Sequence, residues 1–171
     1  MFRQQYFRIG LSLIVALFLW TVSGVKPAAA APEATCTSNG SGSWGTTGTW
    51  TGCGGLVPQT GDTVIIATGH TVTVNTNTAS LASLTVNGTL TIGNSGTDRN
   101  VNVAGDVTIS SDGLIQPGTT DADHILNIGG NLLNNGTFNG QVADPDDEIR
   151  VTFNSASDQT ISGTGLIQMV V

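Results

Sequence analysis

One short phrase returns through residues 61–153 and leaves few folds open. It is an alternating apolar–polar run, a Gly or Asn corner, and a second such run. Leu84-Thr85-Val86-Asn87-Gly88-Thr89-Leu90-Thr91-Ile92 is the clearest copy, and Val101-Asn102-Val103-Ala104-Gly105-Asp106-Val107-Thr108-Ile109 repeats it. Leu126-Asn127-Ile128-Gly129-Gly130-Asn131-Leu132 is a third, continuing through Asn134-Asn135-Gly136-Thr137-Phe138. Val64 to Val74 reads as an earlier copy, and Val151-Thr152-Phe153 followed by Gln159-Thr160-Ile161 as a later one. The corner glycines Gly69, Gly88, Gly105 and Gly130 recur at about 17–25 residues, a spacing typical of solenoid repeats.

Alternation over four or five residues sends successive side chains to opposite faces of a strand. Leu84, Val86, Leu90 and Ile92 are expected to point inward, and Thr85, Thr89 and Thr91 outward. A unit this short cannot bury its apolar face alone, whereas stacking strand over strand buries a continuous column. Gly and Asn suit the corners because both tolerate positive φ. No segment after the leader carries a 3.6-residue apolar period, so the helices of a βαβ fold are lacking. The expected fold is all-β, a parallel β-helix (solenoid), and the alternative is an antiparallel β-sandwich of the same strands. Asn87, Asn134, Asn135 and Asn139 sit at or near corners, where stacked amides form ladders.

Residues 1–31 read as a secretory signal peptide. Arg3 and Arg8 form the basic start, Leu11 to Val22 the apolar stretch, and Ala28 to Ala31 offer the cleavage site. The apolar run falls short of the ~20 residues of a spanning helix, so no membrane span is expected after processing. Removing Arg3, Arg8 and Lys26 takes the formal net charge from −7 to −10 and leaves only Arg99 and Arg150 as cations. That excludes a nucleic-acid partner, which needs clustered Lys and Arg. Residues 32–60 form an N-terminal cap segment, and residues 61–171 carry the repeats. Cys36 and Cys53 lie in this cap segment and, in an oxidising compartment, are expected to pair. The closed loop stabilises by roughly 3 kcal/mol on a chain-entropy model.

Trp44 and Trp50 lie in a stretch rich in Gly, Ser and Thr. Two readings are open for them: covering the first coil, or stacking on sugar rings. From Trp44 to Val74 the chain runs SWGTTGTWTGCGGLVPQTGDTVIIATGHTVTV. This resembles the opening of the eight-glycine extracellular domain family, on Trp50, Val57-Pro58, Gly61-Asp62, Val64 to Ile66 and Gly69 to Val74. The phrases LTVNGTLTI and LNIGGNLLNNGTFN are similar to the adhesin-type repeats of bacterial secreted surface proteins. The resemblance implies a right-handed parallel β-helix and an extracellular place, often with glycan or surface contact.

The chemistry-bearing residues are sparse. His70 and His124 are the two histidines, expected as a solvent-facing corner residue and a surface residue. Asp121 and Asp123 beside His124 make at most a weak metal site, since metal ligands come in tighter clusters. Asp144, Asp146, Asp147 and Glu148 are weak calcium candidates, but they lack the spacing of a calcium loop and read better as a solvated bulge. No other cofactor is implied. Glycoside hydrolysis needs two carboxylates across one bond. Asp62, Asp106, Asp112 and Asp158 are scattered, and Arg99 and Arg150 are thin support for a lyase, so no enzyme is expected. Thr71-x-Thr73 and Thr89-x-Thr91 suggest an ice-binding face, which Asp106-Val107-Thr108 and Asn131-Leu132-Leu133 are expected to interrupt.

The function expected is that of a secreted or cell-surface structural or adhesive β-helix protein without catalytic activity, contacting a surface glycan or a protein. The alternative is a carbohydrate-binding module using Trp44 and Trp50. The chain closes on Leu166-Ile167-Gln168-Met169-Val170-Val171, an uncharged apolar run. Two outcomes are open for it: end-to-end stacking on a partner, or folding back over the last coil.

Overall fold

A computed structural model describes residues 33–118, 121–141 and 147–169, all within the compact unit Glu33–Val171. The leader, the calcium candidates Asp144 and Asp146, and Val170 and Val171 of the closing apolar run lie outside the described residues. The chain opens with β1 (Thr35–Ser38), β2 (Gly42–Ser43) and β3 (Trp50–Thr51). Three-strand coils follow. The first comprises β4 (Thr63–Ile66), β5 (Thr71–Val74) and β6 (Ser80–Leu81), and the next β7 (Ser83–Val86), β8 (Thr89–Ile92) and β9 (Asn100–Val103). Then come β10 (Val107–Ile109), β11 (Leu114–Pro117) and β12 (Asp123–Ile128), and after them β13 (Leu132–Asn134), β14 (Thr137–Asn139) and β15 (Glu148–Phe153). A partial last coil holds β16 (Ile161–Ser162) and β17 (Leu166–Gln168).

These strands stack into three sheets along one axis. Sheet A runs β16-β13-β10-β7-β4-β1-β3, sheet B runs β17-β14-β11-β8-β5-β2, and sheet C runs β15-β12-β9-β6. Every strand pair is parallel except β1 with β3, which fixes a parallel β-solenoid and excludes the sandwich.

The register builds the core. Cys36, Val64, Leu84, Val107 and Leu132 form one inward column in sheet A. Val72, Leu90, Ile115 and Phe138 form another in sheet B, and Leu81, Val103 and Ile128 a third in sheet C. None of these is more than 2 % exposed. Each large member contributes roughly 1.5–3 kcal/mol of transfer free energy. Leu84, Val86, Leu90 and Ile92 are inward as expected.

The phase of the repeat differs from the one the corner glycines suggest. Gly69 and Gly88 turn from sheet A to sheet B, but Gly105 and Gly130 turn from sheet C to sheet A. The strand–corner–strand phrase therefore serves two of the three corners and does not mark one repeat unit. Glycine stacks on glycine at more than one corner: Gly130 N donates to Gly105 O at 2.8 Å between sheets C and A, and Gly88, Gly113 and Gly136 recur between sheets A and B. At the A-to-B corner a Cβ on Gly113 would overlap the Val86 carbonyl, and one on Gly136 the Ser110 carbonyl. The segment expected as a separate cap also supplies two strands, β1 and β2, that stack in parallel on β4 and β5 as a partial coil ahead of them.

Candidate functional site

The N-terminal end is built from the residues that carried the sugar-stacking expectation. Trp44 is 1 % exposed and Trp50 7 % exposed. Trp50 Nε1 donates to the Trp44 carbonyl at 2.8 Å, and the rings meet edge to face with centroids 4.8 Å apart. The Trp44 amide donates to Thr73 O at 2.8 Å, which ties the pair to β5. Buried rings present no face to a sugar, so Trp44 and Trp50 form the cover of the first coil and not a glycan platform. The Cys36–Cys53 disulfide, with Cα atoms 4.9 Å apart, fastens the same cover to β1. Asp62 completes it: its carboxylate accepts the Ala34 amide at 2.9 Å and the Gln59 amide at 2.7 Å.

His70 keeps its expected corner, between β4 and β5, whereas His124 does not lie at the surface. His70 is only partly exposed, and its Nδ1 lies 2.8 Å from Ser38 Oγ, which accepts the Ala67 amide at 2.8 Å. The Ser38 hydroxyl has both its proton and a second lone pair to offer Nδ1, so it serves either tautomer of the ring. His124 is 0 % exposed and faces the core from β12, in phase with Leu126 and Ile128. Its Nδ1 accepts the Arg99 amide at 3.1 Å, which leaves the proton of the neutral ring on Nε2. Burial lowers its pKa, against the raising influence of Asp98 and Asp147. Gly93, at φ +86°, makes room for the ring, because a Cβ there would overlap Nε2. The alternation of Asp123-His124-Ile125-Leu126 already marked His124 as inward, and its polarity obscured that signal.

The acidic residues serve the coils in the same way. Asp106 Oδ1 accepts the Asn131 amide at 2.7 Å, and Asn131 Oδ1 accepts the Thr160 amide at 2.9 Å. Asp123 points outward while its neighbour His124 points inward, so the weak metal site expected there is not assembled. Asp147 is buried, with the Ala122 amide 3.4 Å from its Oδ1, and is not part of a solvated bulge. Glu148 pairs with Arg150 at 3.4 Å. Among the described residues, no three His, Cys, Asp or Glu side chains converge as a metal site would require.

The outer face of sheet C carries Asp123, Glu148 and Arg150 at one end of β12 and β15, and a polar, neutral groove at the other. On the outer side of sheet C, Ser80, Asn102 and Asn127 stand in register. Asn127 Nδ2 donates to Asn102 Oδ1 at 2.9 Å, and Asn102 Nδ2 donates to Thr78 O at 3.0 Å. The asparagine ladder thus forms here, not at the corner residues expected to make it. Asn87 bonds Ser110, Asn135 accepts from Thr164, Asn139 from Gln141, and Asn134 bonds Gly136 and Leu166. With Asn154 and Ser155 the column borders a groove of about 480 Å³. On sheet B the threonine rows Thr71/Thr73 and Thr89/Thr91 stack in register, and Leu114 and Gln116 continue them. The interruption of the threonine array is real, but Asp106 and Asn131 lie at the corner between sheets C and A, just before β10 and β13, and are not its cause.

The G8 domain model matches residues 49–143, more than half of the chain, and the chain belongs to the G8 domain family. No curated protein and no solved structure matches it. The G8 domain and the disulfide together suggest an extracellular protein, and no helix among the described residues is long and apolar enough to cross a membrane.

Proposed function

We propose that this G8 protein is a secreted, non-catalytic structural or adhesive module of the cell surface, whose contact face is the outer side of sheet C. One observation carries the reading. Among the residues with chemical potential, Asp62, Asp106, His70, His124 and both tryptophans are held in the core or in bonds between coils, and the exposed Asp112 and Asp158 remain far apart in sequence. The Asn102–Asn127 column, by contrast, faces outward over an open groove. Each primary amide has two donors and a two-lone-pair acceptor, so the ladder bonds leave further capacity on both side chains. An acidic chain bearing neutral amides and hydroxyls at its groove suits an uncharged polar partner and repels anionic polymers.

The groove keeps the carbohydrate-binding alternative in play at a different place from the tryptophans. The test is binding of the purified protein to immobilised neutral polysaccharides and to whole-cell surfaces, with Asn102→Ala/Asn127→Ala beside the native chain. Binding that falls at least about ten-fold in the variant, with no release of reducing ends or unsaturated sugars, is the expected result. Turnover of any polysaccharide, or binding indifferent to both substitutions, overturns the reading.

A further inference from the structure

Asparagine followed by glycine is the step at which a main-chain nitrogen most readily closes on the side-chain carbonyl before it, because glycine has no Cβ to bar the approach. The sequence holds four such steps: Asn39-Gly40, Asn87-Gly88, Asn135-Gly136 and Asn139-Gly140. In sequence they are alike, and in the fold they are not. The Gly136 amide donates to Asn134 Oδ1 at 3.1 Å and the Gly140 amide to Gln168 O at 2.6 Å, so neither nitrogen can turn on its asparagine. The Asn135 and Asn139 carboxamides are engaged as well, accepting the Thr164 amide at 3.4 Å and the Gln141 amide at 3.3 Å. At Asn87 the carboxamide oxygen accepts the Ser110 hydroxyl, and the Asn87 amide donates to Ile66 O at 2.9 Å. Gly88 is buried in a corner where an added Cβ would overlap the Ala67 and His70 carbonyls, so this step has no room to rearrange.

Asn39 stands apart. It is exposed, and among the described residues neither its carboxamide nor the Gly40 amide has a bonding partner. A Cβ added to Gly40 would meet nothing within 4 Å. Both flanks are nonetheless anchored, since the Asn39 amide donates to Thr49 O at 2.8 Å and Ser41 Oγ accepts the Thr71 amide at 2.8 Å. We infer that Asn39-Gly40 is a self-modifying site, which converts to aspartate or isoaspartate in the folded protein while the other three steps persist. The Gly40 nitrogen bonds to Asn39 Cγ, and the carboxamide nitrogen leaves with the Gly40 proton as ammonia. Water then opens the resulting succinimide at either carbonyl. One water is consumed, one ammonia is released, and nothing is oxidised or reduced. Either product adds one negative charge where the cover meets the first strands, and isoaspartate also adds a methylene to the main chain between β1 and β2.

The test uses the full chain from an oxidising, secreting host, incubated in mildly alkaline buffer with and without urea. Peptide mapping by mass spectrometry scores each of the four steps over time as asparagine, aspartate or isoaspartate. In the folded protein Asn39 is expected to convert at least about ten-fold faster than any of the other three, because those must first open locally. In urea the four rates are expected to converge, since the bonds that hold three of them are gone. Gly40→Ala is expected to slow conversion of Asn39 at least about ten-fold, by placing a Cβ in the path of the nitrogen, with the unfolding midpoint unchanged. Folded-state conversion of Asn135 or Asn139 as fast as that of Asn39, an advantage of Asn39 that persists in urea, or conversion indifferent to Gly40→Ala overturns the inference.

Discussion

The two ends of the solenoid solve the same problem in opposite ways. An interior coil is covered above and below, whereas an end coil has one neighbour and leaves an apolar cross-section to be dealt with. At the N-terminal end a dense set of local contacts does this. Trp44 and Trp50 fill the cross-section, β3 pairs with the edge of β1, and Cys36–Cys53 joins cover to coil. At the other end the columns run out into Ile161, Ile167 and Phe153, all open to solvent. A parallel solenoid therefore needs no capping helix where bulky side chains and one antiparallel strand close it.

The comparison breaks most severely at the closed end. Trp44→Ala is expected to cost about 3–5 kcal/mol, the range for truncating a buried aromatic, and the midpoint of denaturant unfolding checks it. A loss under about 1 kcal/mol would mean that the tryptophans are not the cover described here. Reducing the disulfide is expected to cost about 3 kcal/mol on the chain-entropy model. Hydrogen exchange locates that loss: β1 and β2 should lose protection first, while β10 to β14 keep theirs. Uniform loss along the axis would contradict a cap that acts locally.

A smaller effect sharpens the contrast between core and corner. His124 is buried neutral with a lowered pKa, whereas the unfolded chain takes up a proton near pH 6.5. The stability this ring contributes is complete above pH 6.5. It falls as the pH drops below that value, because the unfolded state then binds the extra proton, and it levels off below the folded pKa. His124→Gln, which keeps a polar side chain without titration, is expected to flatten stability between pH 7 and pH 5 relative to the native chain. An unchanged pH profile in the variant would place the titration elsewhere. The smallest effect belongs to the open end. Ile161→Ala is expected to change monomer stability by no more than about 0.5 kcal/mol, the usual range for exposed sites. A cost of several kcal/mol in the isolated chain would show that Ile161 is covered within the monomer.

The sequence by itself determined the strands, their inward faces and the disulfide, because each rests on local information. A period of two assigns the face of every residue, so Leu84, Val86, Leu90 and Ile92 were legible before any coordinates. The same period pointed His124 inward, though its chemistry argued for the surface. The corner phrase showed that coils exist, but its glycines fall at two different corners and so did not reveal which strand lies over which. That decision belongs to the tertiary structure, since coil length is set by loops that vary while only register between coils aligns the columns. Stacking alone placed Asn102 under Asn127 to make the outward ladder, decided between the two readings of Trp44 and Trp50 by burying both, and left Ile161 and Ile167 exposed. Contacts between residues some 25 positions apart have no signature in either residue's neighbourhood, because the backbone bonds that create them join one coil to the next.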